Sequence, residues 1–199
     1  MNPEDALSEA DAVFDATGIA ARALRIGTQA PDVTLPDASG KPVHLSDVWR
    51  RGPLVVVFYR GGWCTYCNLQ LREWRQYTDA LARLDASLLA ISPQLPEHSM
   101  RTAQDNGLGF TVLSDCALEA ANGFGLAYTL HPDVVAYYGS VGTDIPVLNG
   151  NGQWVLPVPA TYVIDSTGEI CFASIEEDVR ERTRPREVVA AIEVLRQRP

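Results

Sequence analysis

Two cysteines three positions apart stand where a wholly apolar run gives way to an amphipathic one, and no other feature constrains this chain as much. The run Leu54-Val55-Val56-Val57-Phe58-Tyr59 has no polar side, as expected of a strand buried on both faces. Gly61 and Gly62 let the backbone turn sharply out of that strand. Trp63-Cys64-Thr65-Tyr66-Cys67 comes next, and an amphipathic stretch begins at Asn68-Leu69. Two thiols at this spacing can form and break a disulfide. A helix N-terminus also favours the thiolate, because unpaired N–H groups and the macrodipole stabilise negative charge. An unperturbed thiol, with a pKa near ~8.5, is only a few per cent ionised at neutral pH, and each unit of downward shift is worth about 1.4 kcal/mol.

A structural metal is the main rival for such a pair. Zinc wants four ligands, usually with a second close pair, and Cys116, Cys171, His44, His98 and His131 are scattered. Two inert buried thiols are the blander alternative. Four cysteines in 199 residues do not make a disulfide scaffold. Cys171 alternates within a strand pattern and reads as a small buried thiol. Cys116, after Asp115 at a helix start, is a weaker candidate for a resolving or regulatory thiol. Trp63 can shield the pair and offer a partner surface, or be a packed aromatic. The run Arg180-Glu181-Arg182-Thr183-Arg184 reads as a solvated loop.

The formal net charge of −9 and pI near 4.7 argue against nucleic acid as a partner. No stretch approaches the ~18 apolar residues of a membrane helix. Met1-Asn2-Pro3-Glu4-Asp5 is acidic and lacks the features of a secretory signal, so a cytoplasmic location is expected.

Residues 3–25 read as an amphipathic N-terminal helix, packed on the domain or used in a homodimer contact. Two short strands follow around the turn at Asp37 to Gly40, and Ser46-Asp47 is expected to cap a short helix. After the buried strand at 54–59, residues 65–84 read as one long helix with Leu69, Leu71, Trp74, Tyr77, Leu81 and Leu84 on its apolar side. Strands are expected at 87–92 and 110–113, with helices at 97–106 and 116–123. Residues 127–155 are less regular, apart from a helical stretch at 132–138 and a turn at 149–152. A hairpin at 160–173 and a helix from Pro185, striped by Val188, Ile192 and Leu195, close the chain. The order implies parallel strands with right-handed crossovers plus an antiparallel hairpin.

Three segments carry a family resemblance. They are Ala30-Pro31-Asp32-Val33-Thr34-Leu35 with Gly40-Lys41-Pro42-Val43-His44-Leu45-Ser46-Asp47, then Phe58 to Cys67, then Val158-Pro159-Ala160-Thr161-Tyr162-Val163-Ile164-Asp165. In this order they resemble the peroxiredoxin-like group (alkyl hydroperoxide reductase/thiol-specific antioxidant family) of the thioredoxin-fold superfamily, over roughly residues 26–197. The resemblance implies an α/β thioredoxin-like fold, a central mixed sheet flanked by helices. Residues 1–25 would form a helical extension and 26–199 the domain.

In the family frame, Arg60 takes the place of a proline, Cys64 that of a threonine, and Cys67 that of the peroxide-attacking cysteine. Pro159 stands where peroxiredoxins place an arginine and thioredoxins a cis-proline. The resemblance therefore implies a cis Pro159 that brings the Val158 backbone beside the pair. Thioredoxin logic makes Cys64 the nucleophile and Cys67 the resolving thiol; peroxiredoxin logic reverses them. Cys64 is favoured as the nucleophile for disulfide exchange, with Cys67 resolving; if the chain reduces peroxide, Cys67 is a candidate for the first attack, and the choice between the two stays open. Arg60 is either a thiolate-stabilising cation able to bond a peroxide oxygen or a solvated loop residue, and Trp63, Thr65 and Pro159 complete the supporting set. The expected activity is reduction of hydrogen peroxide or organic hydroperoxides, recycled by a thioredoxin-like or low-molecular-weight thiol. Direct thiol–disulfide exchange, and a non-enzymatic redox-sensing or metal-binding module, are the alternatives. The enzyme readings require neither an organic cofactor nor a metal.

Overall fold

The computed structural model describes residues 18–176, 178 and 180–196. Among these, the central sheet holds five strands: β3 (Leu54–Phe58), β4 (Ser87–Ser92), β5 (Thr111–Ser114), β8 (Ala160–Ile164) and β9 (Ile170–Ile175). Their spatial order is β5-β4-β3-β8-β9. β3 runs parallel to β4, and β4 to β5, while β8 lies antiparallel to both β3 and β9. This is the expected mixed sheet, with β3 at its centre and every residue of β3 buried.

Alternation along β3 feeds two separate cores. Leu54, Val56 and Phe58 face one layer with Leu89, Ile91, Leu113 and Tyr162. There Phe58, Phe124 and Tyr162 pack as a ring cluster with centroids 4.9–6.2 Å apart. Val55 and Val57 face the other layer, against Trp74, Leu81, Val163, Val188 and Ile192. Each such fully buried side chain contributes about 1.5–3 kcal/mol from burial. The second layer comprises α3 (Thr65–Arg75), α4 (Thr78–Arg83) and α9 (Pro185–Arg196).

The opening hairpin is present as β1 (Thr34–Pro36) antiparallel to β2 (Pro42–His44). The short helix α2 (Leu45–Trp49) starts two residues earlier than a Ser46 cap would allow. His44 is its N-cap, and Asp32 Oδ1 accepts the Ser46 N–H at 3.0 Å. The single helix expected over 65–84 is two helices. Gln76 and Tyr77 bond three residues back rather than four, and the Thr78 hydroxyl donates to the Arg75 carbonyl at 3.1 Å, competing with the helical ladder. Leu69 is 53% exposed and does not belong to the apolar side.

Helix α5 (Pro96–Asp105) follows β4. α6 (Glu119–Gly123) begins later than position 116, since Leu118 holds a left-handed φ of 59°. Asp115 anchors it instead, its two carboxylate oxygens accepting the Ala120 and Ala121 N–H groups at 3.1 and 2.8 Å. The expected helical stretch at 132–138 is present as α7 (Pro132–Ser140), and the region read as irregular around it contains a small sheet, β6 (Ala127–Thr129) antiparallel to β7 (Val155–Pro157), and the helix α8 (Ile145–Asn149).

Of the N-terminal helix expected over 3–25, positions 3–17 lie outside the described residues. The remainder forms one turn, α1 (Ile19–Arg22), whose Ile19 joins the first core. Ala23 leaves the helix with extended backbone. No helix among the described residues is long and apolar enough to cross a membrane.

Candidate redox site

The site is built from the end of β3 outward. Tyr59 continues the strand by donating its N–H to the Ile91 carbonyl at 3.0 Å. The loop that follows is clamped on both sides. Gly62 N–H donates to Gln94 Oε1 at 2.8 Å, and Asn68 Nδ2 donates to the Gly62 carbonyl at 2.6 Å. A side chain at position 62 would overlap Thr102 Oγ1, so the turn needs glycine there. Cys64 is the N-cap of α3 and Cys67 lies in its first turn. Both are buried, at 6% and 0% exposure.

The two Sγ atoms are 2.8 Å apart and both cysteines are free. The pair is electrically asymmetric. Burial opposes ionisation of Cys67, but the Cys64 thiol, the Arg182 guanidinium and the Arg60 backbone N–H outweigh it and bring its pKa down to about 5. Cys64, bonded to Cys67, buried and facing its charge, is pushed well above the ordinary thiol range. These opposite shifts favour the negative charge on Cys67 rather than on Cys64, the thiol to which thioredoxin logic looks.

Arg60 is not a solvated loop residue. It is buried, its Nη2 donates to Tyr138 Oη at 2.6 Å, and its guanidinium carbon lies 5.2 and 5.7 Å from the ring centres of Trp63 and Tyr138. Burial works against its charge, but the phenols of Tyr128 and Tyr138 and the two cysteine sulfurs hold its pKa up. Trp63 is half-buried and meets Tyr138 edge-on at 5.1 Å. Thr65 is the exposed first residue of α3.

The cation that touches the sulfurs is Arg182, from the segment read in sequence as solvated. Its Nη2 lies 3.3 Å from Cys67 Sγ and 3.9 Å from Cys64 Sγ. No local pattern marks it, because its course depends on Thr183 meeting Glu176 seven positions away.

Pro159 departs from expectation. No peptide bond among the described residues is cis, and Val158 N–H is taken by the Leu126 carbonyl at 3.0 Å. The strand pairing of Val155–Pro157 with Ala127–Thr129 runs straight into that bond, so the Val158 backbone is occupied rather than offered to a substrate. Cys116 is half-buried, its Sγ 3.4 Å from the Gln94 carbonyl oxygen, and burial together with the Asp115 charge raises its pKa. Cys171 Sγ lies 3.3 Å from the Val163 carbonyl oxygen. Among the described residues, no group of three or more His, Cys, Asp or Glu side chains could hold a metal ion.

Comparison with known proteins places these features in context. Peroxiredoxin Bcp of Escherichia coli K12 is 33% identical over 103 residues, which is 52% of this chain and 65% of that protein. The chain therefore spans just under two thirds of that relative's length. The Mycobacterium tuberculosis H37Rv protein Rv2521, also named as a peroxiredoxin, is 32% identical over 150 residues, 75% of this chain and 84% of its own. Among solved structures, Peroxidoxin BcpB of M. tuberculosis superposes with a TM-score of 0.71 at 22% identity, covering 87% of this chain and 99% of that one, a likeness of fold. The family model described as AhpC/TSA matches residues 26–173, a span that contains Cys64, Cys67 and the central sheet up to the last two residues of β9, and the chain belongs to the AhpC/TSA family.

Proposed function

We propose that the protein is a thiol peroxidase in which Cys67 attacks the peroxide and Cys64 resolves. The observation that carries this reading is the buried sulfur pair, 2.8 Å apart, with Arg182 beside Cys67 and surroundings that favour negative charge on Cys67 over Cys64. Cys67 S⁻ attacks one oxygen of the hydroperoxide, the O–O bond breaks, and the departing oxygen leaves with the electron pair as hydroxide or alkoxide, which water protonates. The resulting Cys67 sulfenic acid condenses with the Cys64 thiol, forming the disulfide and releasing water. Two thiol equivalents from a thioredoxin-like protein or a small thiol then restore the dithiol.

Burial favours this over thiol–disulfide exchange. Either substrate requires the site to open, since Cys67 is at 0% exposure and Cys64 at 6%, and a peroxide of a few atoms requires less opening than a protein disulfide. The Val158 N–H, bonded to Leu126, is also unavailable to pair with an extended peptide. The family membership and the peroxiredoxin names of the relatives support the same reading.

The test is stopped-flow reaction of the reduced protein with hydrogen peroxide and an organic hydroperoxide, followed by thiol loss, with Cys64→Ser and Cys67→Ser beside wild type. Reaction no faster than free cysteine sinks the peroxidase reading. Insulin reduction by the same samples would then support exchange.

A further inference from the structure

We propose that Arg182 is the catalytic cation of this site, binding the peroxide oxygens over Cys67, and that a hydrogen bond between Thr183 and Glu176 positions it; the inference rests on the peroxidase reading above. Arg182 lies beyond residues 26–173, the part of the chain matched by the family model. Position 159, where the family resemblance leads one to look for an arginine, is proline. Arg60 is placed differently: its Nη2 donates to Tyr138 Oη, its guanidinium lies over the rings of Trp63 and Tyr138, and its Nε has no hydrogen-bond partner among the described residues. Arg182 Nη2, in contrast, sits 3.3 Å from the reacting sulfur.

A guanidinium suits the task. It carries five N–H donors in one plane, so one can hold the sulfur while another meets an oxygen. As the S–O bond forms and the O–O bond breaks, negative charge grows on the departing oxygen. A fixed cation beside it stabilises that charge without giving up a proton, since arginine stays protonated.

The arginine is carried by a segment without helix or strand, and its placement comes from side chains. Buried Thr183 donates its hydroxyl to Glu176 Oε1, which also accepts the Ser174 hydroxyl at 2.9 Å. Glu176 in turn donates its own N–H to the Pro159 carbonyl at 2.9 Å. The residue that stands where the family arginine is sought therefore anchors the segment that delivers a different one.

The experiment is stopped-flow oxidation of the reduced protein by hydrogen peroxide, with the Cys67 thiolate titrated by its ultraviolet absorbance, in Arg182→Gln, Arg182→Lys, Thr183→Val and Thr183→Ser. Arg182→Gln should slow the reaction about a hundredfold and move the thiolate titration to higher pH. Arg182→Lys, which keeps charge and length, should restore most of the titration but only part of the rate, because an ammonium lacks the planar fork. Thr183→Val should lower the rate with the titration moved in the same direction, and Thr183→Ser should recover both. An Arg182→Gln protein within about twofold of a fast wild type, with its titration unmoved, overturns the role of Arg182 alone. A wild type no faster than free cysteine overturns the peroxidase reading, and the oxygen-binding role with it.

Discussion

Two segments meet at Cys67, and they are held there by different physics. Residues 59–67 leave a central strand that is buried on both faces and paired on both edges. Their course is set by two backbone bonds, Tyr59 to Ile91 and Cys64 N–H to the Gly61 carbonyl at 3.1 Å, with the Gln94 side chain accepting the Gly62 N–H. The described residues of 176–184 belong to neither helix nor strand. A backbone bond from Glu176 to Pro159 and the hydroxyls of Ser174 and Thr183 on Glu176 tie them to the sheet, and bonds within the segment, such as Glu181 N–H to the Asp178 carbonyl at 3.0 Å, add to these. The sulfur is thus fixed by the fold, and the cation is fixed by a few side chains. The first kind of placement tolerates most side-chain changes and fails when the backbone is obstructed. The second fails when a single hydroxyl is removed.

The largest expected effect is on the fixed side. Cys67→Ser should lower the rate of peroxide consumption by about a thousandfold or more, as removal of a nucleophile does. Cys64→Ser should still be oxidised by peroxide but form no intramolecular disulfide, which non-reducing mass measurement detects. Equal loss of the first step in both variants would erase the distinction between the two thiols.

The pH profile comes next. With the Cys67 pKa brought down to about 5 by the Cys64 thiol and Arg182, the thiolate should persist as pH falls from 8 and be lost only on approaching that value. The peroxide rate should therefore stay level down to about pH 6 and drop below it, where free cysteine has long since lost its thiolate. The sign carries over to stability. A pKa depressed by folding contributes in full above the unfolded value of ~8.5, shrinks as pH falls toward 5, and is absent below. Denaturant titrations should show that slope in wild type and a flatter profile in Cys67→Ser.

A backbone test is smaller in energy and specific to the first segment. Gly62→Ala drives a methyl into Thr102 Oγ1 and should cost about 1–3 kcal/mol while slowing the peroxide step. Gly109→Ala, where a methyl meets open space, is the control and should be near neutral. The smallest effect lies away from both segments. Asp115→Ala removes the acceptor for two N–H groups at the start of α6 and should cost about 1 kcal/mol in thermal unfolding with the peroxide rate unchanged.

The same contrast explains what could be read in the sequence. Leu54 to Phe58 announces a central strand because burial on both faces leaves no polar alternation, and the cysteines after it follow at a helix mouth. The hairpin turn at Gly168, with φ of 89°, and the helix from Pro185 are likewise local signals. The break at Gln76 and Tyr77 was hidden because the apolar period continues across it, while the interruption comes from one Thr78 hydroxyl. Arg182 was hidden for a related reason. Its course depends on Thr183 meeting Glu176 seven positions away, a contact with no periodicity, inside a run whose charge reads as solvent-facing. Pro159 misled in the opposite direction, because a proline before a strand has the same letters whether its peptide bond is cis or trans.

The most direct measurement is to oxidise the reduced Cys64→Ser protein with one equivalent of hydrogen peroxide, trap the sulfenic acid with dimedone, and locate the adduct by mass spectrometry beside Cys67→Ser. An adduct on Cys67, formed far faster than any on Cys64 in the reciprocal variant, is the expected result. An adduct on Cys64 in the Cys67→Ser protein at an equal or greater rate would contradict Cys67 as the attacking thiolate.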